Sequence, residues 1–213
     1  MNRRIITAAM VFLLAVSLSG CGKGKETEDY ESSNTVEIKK DGVITNTMED
    51  SYDAELYPEE LLKEFALREA AEYNHENGED AISIKKLETG KEKVTLIMEF
   101  RTAEDFSKFN NYPFFYGTVA EAFEAGYDFD GVELLEAGFE PEKNSTEETP
   151  SIQKEQLLEM GSRKIIIVDL PEDEKLTVKT SGKILYLNGA DYEKKNLAAI
   201  DGSVDAPAYI VFK

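Results

Sequence analysis

The feature that most constrains this chain is its single cysteine, Cys21, which follows an apolar run near the amino end. Residues 1–20 carry the three parts of a bacterial secretory signal: a basic start at Arg3 and Arg4, an apolar centre from Ile5 to Val16, and small residues before the cysteine. The apolar centre is shorter than the roughly 20 residues that a membrane-spanning helix needs. We therefore predict a cleaved signal peptide rather than a transmembrane segment.

Leu18-Ser19-Gly20-Cys21 matches the pattern of a lipobox, in which the cysteine is acylated and the chain is then cut before it. This motif predicts that Cys21 is the first residue of the mature chain and carries lipid, including palmitate. Two acyl chains would hold the protein on a membrane where one is marginal. The alternative is an ordinary secretory signal with a cysteine near its end. Because there is no second cysteine, no intramolecular disulfide can form.

The charge of the chain restricts its partners. It has 24 basic and 43 acidic residues, a net charge of −19. Such a field repels nucleic acid and anionic lipid headgroups, so we expect no nucleic-acid partner. The acidity fits solubility close to an anionic membrane, and the alternative is attraction of cations or basic partners.

Composition divides the chain into three parts. We predict a signal peptide at 1–20, a polar tether at 21–34 and a globular domain at 35–213. Residues 140–150 are polar, acidic and bounded by prolines, which indicates a long loop or an internal boundary. They include a glycosylation sequon at Asn144, which we interpret as coincidental.

Apolar alternation predicts several β-hairpins. In the segment Val36–Met48, a three-residue loop at 40–42 would pair Ile38 with Ile44 and place Gly42 in a left-handed conformation. A second hairpin is predicted over 82–100. A third is predicted over 176–187, with Val178 opposite Leu185 across a Ser181-Gly182 loop. Further strands are predicted at 131–137, 164–170 and 209–212, the second covered on both faces.

Helical spacing predicts four helices between these strands. The longest runs from Pro58 to Asn77, with Leu61, Leu62, Phe65, Ala66 and Tyr73 on its buried stripe. Two short helices on either side of a proline-containing turn are predicted in 103–126, and another over 151–160. The fold class is therefore α+β: a mostly antiparallel sheet built from hairpins, with a few helices packed on it.

Few residues suggest chemistry. His75 is the only histidine, so neither a histidine-based triad nor a His/Cys zinc site can be assembled. Asp128, Asp130, Gly131 and Glu133 resemble a calcium loop, but their spacing does not fit an EF-hand, and we interpret them as a turn. We expect no metal and no cofactor.

The aromatic segment around Pro113 is the candidate contact surface. Tyr112, Phe114, Phe115 and Tyr116 could line a groove for a partner, although aromatics at such spacing also occur in cores. The many carboxylates leave a glycoside-hydrolase type of chemistry open, while the absence of Trp makes a sugar platform less favoured.

Several segments in this order resemble a known group of proteins. They are the lipobox, Val36–Gly42, Gly78–Ala81, Phe115–Ala122 and Gly182–Tyr186. The chain is similar over most of its mature length to uncharacterised acidic lipoproteins of anaerobic clostridial, Gram-positive bacteria. That group has no assigned activity, cofactor or catalytic residue, so the resemblance carries no functional site over to this chain. It implies a location on the outer face of a single cytoplasmic membrane.

These features favour a non-enzymatic, lipid-tethered domain that binds or scaffolds an envelope protein or a cell-wall component. One alternative is a carboxylate-dependent envelope hydrolase. Another is a transporter-associated solute-binding lipoprotein, which is less favoured because the folded part is small for two lobes around a cleft.

Overall fold

The computed structural model describes residues 32–140, 148–204 and 206–213. Within these residues the chain forms four helices and 13 strands in two mostly antiparallel sheets, which confirms the α+β class. The signal peptide, the lipobox with Cys21 and the sequon at Asn144 lie outside the described residues. By contact density the chain divides into unit 1, residues 32–34 and 46–99, and unit 2, residues 35–45 and 100–213.

The bounds of the elements follow the chain order. The strands are β1 Ser33–Ile38, β2 Ile44–Ser51, β3 Ile82–Thr89, β4 Lys93–Phe100, β5 Phe114–Thr118, β6 Leu134–Glu136, β7 Ser151–Ile152, β8 Lys164–Val168, β9 Lys175–Lys179, β10 Ile184–Asn188, β11 Asp191–Lys194, β12 Leu197–Asp201 and β13 Ala208–Phe212. The helices are α1 Glu59–Asn77, α2 Ala103–Asn110, α3 Val119–Glu124 and α4 Lys154–Glu159.

Unit 1 contains the predicted hairpin β3–β4, most of β2 beside β4, and helix α1. Val94, Leu96 and Met98 are buried and alternate with partly exposed residues along β4, as the sequence predicts. The turn closes with a hydrogen bond from the Gly90 N–H to the Lys93 carbonyl, at 2.6 Å. This hairpin therefore has one buried face, because its side chains alternate with the period of a strand.

Helix α1 ends at Asn77, and Gly78 after it has a φ of 114°, as expected for a glycine that ends a helix. Ala66 and Ala70 are its buried residues. Leu61 was predicted on the buried stripe but is 62% exposed. It lies about 100° around the helix from its neighbour Leu62, at 3.6 residues per turn, so it falls outside the face that Ala66 defines.

Helix α1 also runs along the outer strand β3. The Thr89 hydroxyl donates to Glu59 at the start of the helix, at 2.6 Å. Near its end, the Asn74 side chain donates to the Ile82 carbonyl at 2.8 Å and accepts from the Ile82 N–H at 2.9 Å. Asn74 thus satisfies the backbone of Ile82 as a neighbouring strand would, which protects this edge of the sheet.

Unit 2 contains two groups of paired strands. One has the order β11-β12-β9-β1, and the other has the order β5-β8-β13-β10-β6-β7. The predicted turn at 40–42 is present: the Lys39 N–H donates to the Val43 carbonyl at 2.9 Å, and Gly42 has a φ of 88°. Ile38 and Ile44 on either side of this turn are both buried.

The predicted hairpin over 176–187 is wrong. Strand β9 lies between β12 and β1, whereas β10 lies between β13 and β6 in the other sheet. Val178 is opposite Ala198 on β12 and Val36 on β1, so it never faces Leu185. The Ser181-Gly182 turn carries the chain from one sheet to the other, because β1 and β12 supply both neighbours that β9 needs.

The aromatic segment was predicted as a turn, but most of it is a strand. Asn111, with a φ of 61°, ends α2, and β5 then runs antiparallel to β8, with Tyr116 opposite Ile166. The predicted strand at 164–170 is β8, where Ile165 to Val168 are all buried between β5 and β13. The closing strand predicted at 209–212 is β13, which lies inside its sheet rather than at an edge.

Residues 140–150 join two strands that pair with each other. Leu134 on β6 is opposite Ile152 on β7, and Leu135 is opposite Ser151. The segment therefore connects neighbouring strands inside unit 2, and residues 141–147 lie outside the described part.

Helix α3, helix α4 and the face of the sheet beneath them form one core cluster. Its buried members are Val119, Ala122, Phe129, Leu134, Leu157, Ile165, Ile167, Tyr209 and Val211.

Candidate contact surface

Two of the four aromatics proposed as contact residues are in the interior. Tyr112 and Phe114 are each only 5% exposed. Their rings pack edge-on against the buried Phe106 of α2, with centroid distances of 5.8 and 4.8 Å respectively. Helix α2 and strand β5 bury this pair together, so neither ring can contact a partner while this part of the core is intact. The surface predicted from the sequence is thus reduced to Phe115 and Tyr116.

Phe115 and Tyr116 are partly buried and have partners within unit 2. Phe115 packs against the α3–α4 core cluster, with its ring 5.0 Å from that of Tyr127. The Tyr116 ring is stacked on Phe212 at 6.3 Å, and the Lys164 ammonium lies 5.2 Å from its centroid. Only the remaining exposed edge of each ring is open to solvent.

The backbone of β5 is closed at both ends. The Phe114 N–H donates to the Ser107 hydroxyl at 3.2 Å, and the Thr118 N–H donates to the Glu121 carboxylate at 2.6 Å. The Thr118 hydroxyl in turn accepts from the Glu121 N–H at 3.1 Å, which completes a capping box at the start of α3. These bonds oppose addition of a partner strand to β5.

The acidic loop that resembles a calcium site is filled by a lysine. The Lys154 ammonium lies 2.6 Å from the Asp130 carboxylate and 3.6 Å from that of Asp128. The hydrogen bond to Asp130 is the main cause that raises the pKa of Lys154. Glu133 accepts from the Ser151 hydroxyl at 2.6 Å. The part of the chain that the structure describes has no group of three His, Cys, Asp or Glu residues that could hold a metal ion.

Among the described residues, two carboxyl groups have raised pKa values, and burial is the main cause for both. They are Asp50 in unit 1, which also accepts from Ser51, and Glu174 in unit 2. A glycosidase needs one acid of raised pKa facing a second, ionised carboxylate. The interactions that shift the pKa values of Asp50 and Glu174 involve no second carboxylate. His75 is exposed in the last turn of α1.

The structure shows one exposed aromatic that sequence reasoning missed. Among the described residues, Phe123 on α3 is the only aromatic residue that is at least half exposed, at 51%. Val119 and Ala122 on the same helix are both fully buried. Phe123 lies about 100° around the helix from Ala122, and a helix of six residues leaves that side uncovered.

Helix α4, which lies beside α3, also carries an exposed apolar residue. The Ala120 N–H donates to the Gly161 carbonyl at 3.0 Å, so the start of α3 lies beside the end of α4. One turn along α3 from Ala120 leads to Phe123, and one turn back along α4 from Gly161 leads to Leu158, which is 36% exposed. We call Ala120, Phe123 and Leu158 the α3–α4 patch.

Most of the charged residues next to the α3–α4 patch in sequence are acidic. Glu124 follows Phe123 on α3, while Glu155 and Glu159 lie on α4 near Leu158, and all three are exposed. The one lysine of these helices, Lys154, is engaged by Asp128 and Asp130. The exposed Arg163, whose carbonyl accepts from the Val119 N–H, is the positive exception, so the charged residues next to the patch in sequence are mostly, but not all, negative.

Comparison with protein-family models, with curated protein sequences and with solved structures gave no match for this chain. None of the described helices is long and apolar enough to cross a membrane.

Proposed function

We propose that this protein is a lipid-anchored, non-enzymatic domain that binds or scaffolds a partner on the outer face of the cell membrane. The observation that carries the binding role is the exposure of Phe123 on α3, with Leu158 also exposed on the adjacent helix α4. Buried anchors in protein interfaces are often aromatic, and an aromatic left in solvent next to a second apolar residue is a candidate anchor. The lipobox in the sequence supports the attachment.

The attachment is tested by lipid labelling. We expect Cys21→Ala to abolish incorporation of labelled palmitate, because the thiol that accepts the lipid is gone. The matched control is Ser19→Ala, which keeps a small residue before the cysteine and should keep the label. Label retained in the Cys21→Ala protein would show that the lipid, and with it the anchor, is not on this residue.

The binding role is tested by crosslinking in cells. We expect the wild-type protein to be crosslinked to at least one envelope protein or cell-wall component that the Cys21→Ala protein loses. The reason is that attachment raises the local concentration of the domain near its partner. If every crosslinked partner is independent of attachment, the scaffolding role is wrong.

A further inference from the structure

The exposed strand edges are poor sites for a partner. Helix α1 covers part of β3, side chains close the ends of β5, and β7 has only two residues. Strand β11 has four residues, of which Asp191, Glu193 and Lys194 are charged. Short, charged or covered edges are features that oppose strand addition. A partner would therefore be bound through side chains.

Helix α1 also carries two exposed apolar residues, but they do not share a face of the helix. Leu61 and Leu67 on α1 are 62% and 60% exposed. They are six positions apart, which places them about 120° apart around the helix. Phe123 and Leu158, by contrast, lie on adjacent helices joined by the bond from Ala120 to Gly161. The α3–α4 patch is the stronger candidate for a contact site.

The charge near this patch favours one kind of binding partner over the others. An anionic membrane surface would be repelled by Glu124, Glu155 and Glu159, and a second copy of the chain would bring the same three carboxylates together. A segment with lysine or arginine around an apolar stripe matches both the centre and the surroundings. Amphipathic helices commonly bind in this way, with apolar anchors at i and i+3 or i+4.

We propose that the α3–α4 patch binds a basic amphipathic helix of an envelope protein, with the apolar stripe of that helix on Phe123 and Leu158. This deepens, and rests on, the proposed binding function. The apolar contact is small, about 100 Å² from Phe123 if half of a typical aromatic surface is open. Charge therefore supplies much of the attraction, and binding weakens as salt is added.

The test uses the whole mature chain, residues 21–213, with Cys21→Ser so that no lipid is present to bind the probe. The probe is a fluorescent synthetic helix of leucine and lysine in amphipathic order, followed by anisotropy at low and high salt. We expect Phe123→Ser, and separately the double change Glu155→Lys with Glu159→Lys, to weaken binding at least about tenfold, a loss typical of interface anchors.

Matched control variants separate this site from general attraction to an acidic protein. Leu67→Ser and the double change Glu64→Lys with Glu72→Lys alter exposed residues of α1, and they should leave the affinity within about twofold of wild type. A probe with glutamate in place of lysine should not bind. Equal losses in patch and control variants, or no loss in either, would overturn the proposal.

Two other occupants would also overturn it. One is a second copy, seen as a concentration-dependent dimer in sedimentation that Phe123→Ser abolishes. The other is a membrane, seen as flotation of the Cys21→Ser chain with anionic vesicles. The anchored binding role fails separately, when no crosslinked partner depends on Cys21. If such a partner persists in the Phe123→Ser protein, only the assignment of the patch is wrong.

Discussion

The hydroxyl of Tyr112 is buried within electrostatic reach of the Glu174 carboxyl, yet it has no hydrogen-bond partner among the described residues. Burial, with a smaller contribution from Glu174, raises the pKa of Tyr112 far above its ordinary value. A buried hydroxyl without a partner costs about 1–3 kcal/mol, because it loses its bonds to water. This tyrosine therefore stabilises the core through its ring and not through its oxygen.

We expect Tyr112→Phe to raise the free energy of unfolding by about 1 kcal/mol, because the change removes an unpaired polar atom and keeps the ring. Urea denaturation measures this. Tyr52→Phe is the matched control, since the buried Tyr52 donates to the Tyr57 carbonyl at 2.8 Å. The control should lose about 0.5–1.5 kcal/mol. An equal loss in both variants would show that the Tyr112 hydroxyl has a partner, such as an internal water.

The raised pKa of Glu174 predicts a pH-dependent stability. Burial raises the pKa of this carboxyl above 4.5, so the folded state favours the neutral form. The stabilisation from the neutral carboxyl is fully present below pH 4.5, and it is lost as the pH rises through the higher pKa of the folded protein. We therefore expect Glu174→Gln to gain stability over wild type at about pH 7, and to differ little at about pH 4.

Glu121 provides a control of opposite sign. Hydrogen bonds from Thr118 lower the pKa of this carboxyl, so its contribution is present above 4.5 and is lost as pH falls through the lower value. Glu121→Gln should lose stability at neutral pH, and this difference should disappear in acid. Urea denaturation across pH measures both variants. The same trend in both would contradict the assignment to these two residues.

The capping box of α3 should be needed for the stability of the helix that carries Phe123. Thr118→Ala removes the acceptor for the Glu121 N–H, and we expect it to lower the free energy of unfolding by about 1 kcal/mol. Thr118→Ser keeps a hydroxyl and should stay close to wild type. Chemical denaturation measures both. An unchanged Thr118→Ala protein would show that core packing alone holds α3.

Two glycines near α3 should respond differently to an added methyl group. At Gly117 a Cβ would lie 2.7 Å from the Phe115 ring and 3.0 Å from the Glu121 carboxylate, too close for either. At Gly161 the nearest side chain would be that of Ala120, at 3.7 Å. We expect Gly117→Ala to cost about 1–3 kcal/mol and Gly161→Ala clearly less, as measured by thermal unfolding. Equal costs would contradict the crowding at Gly117.

The elements that the sequence predicts correctly are those with a local signal. The turn at 40–42 needs a residue of positive φ, which glycine adopts readily, and Gly42 has a φ of 88°. Strand β4 alternates strictly, and the continuous apolar run of β8 has both faces buried. In each case the pattern depends on residues close in the chain, so no knowledge of distant partners is needed.

The wrong predictions concern contacts between residues that are far apart in the sequence. Strand β9 was predicted to pair with its neighbour in sequence, but it pairs with β1 and β12, which place Val36 and Ala198 opposite Val178. The sequence analysis predicted no strand at Asp191–Lys194 or at Leu197–Asp201, because both strands are short and the first is mostly charged. The candidate surface shows the same limit: residue type alone did not distinguish the buried Phe114 from the exposed Phe123.

The parallel pairing of β1 with β9 brings Thr35 beside Thr177. A chain that leaves its cell amino end first would place β1 outside long before β9 arrives. The sheet that holds β1 could then form only when most of the polypeptide has been translocated. Such long sequence separation slows folding, since a large loop must close before the contact is made. On the proposed secretory route, we expect this chain to remain unfolded until most of it has crossed the membrane.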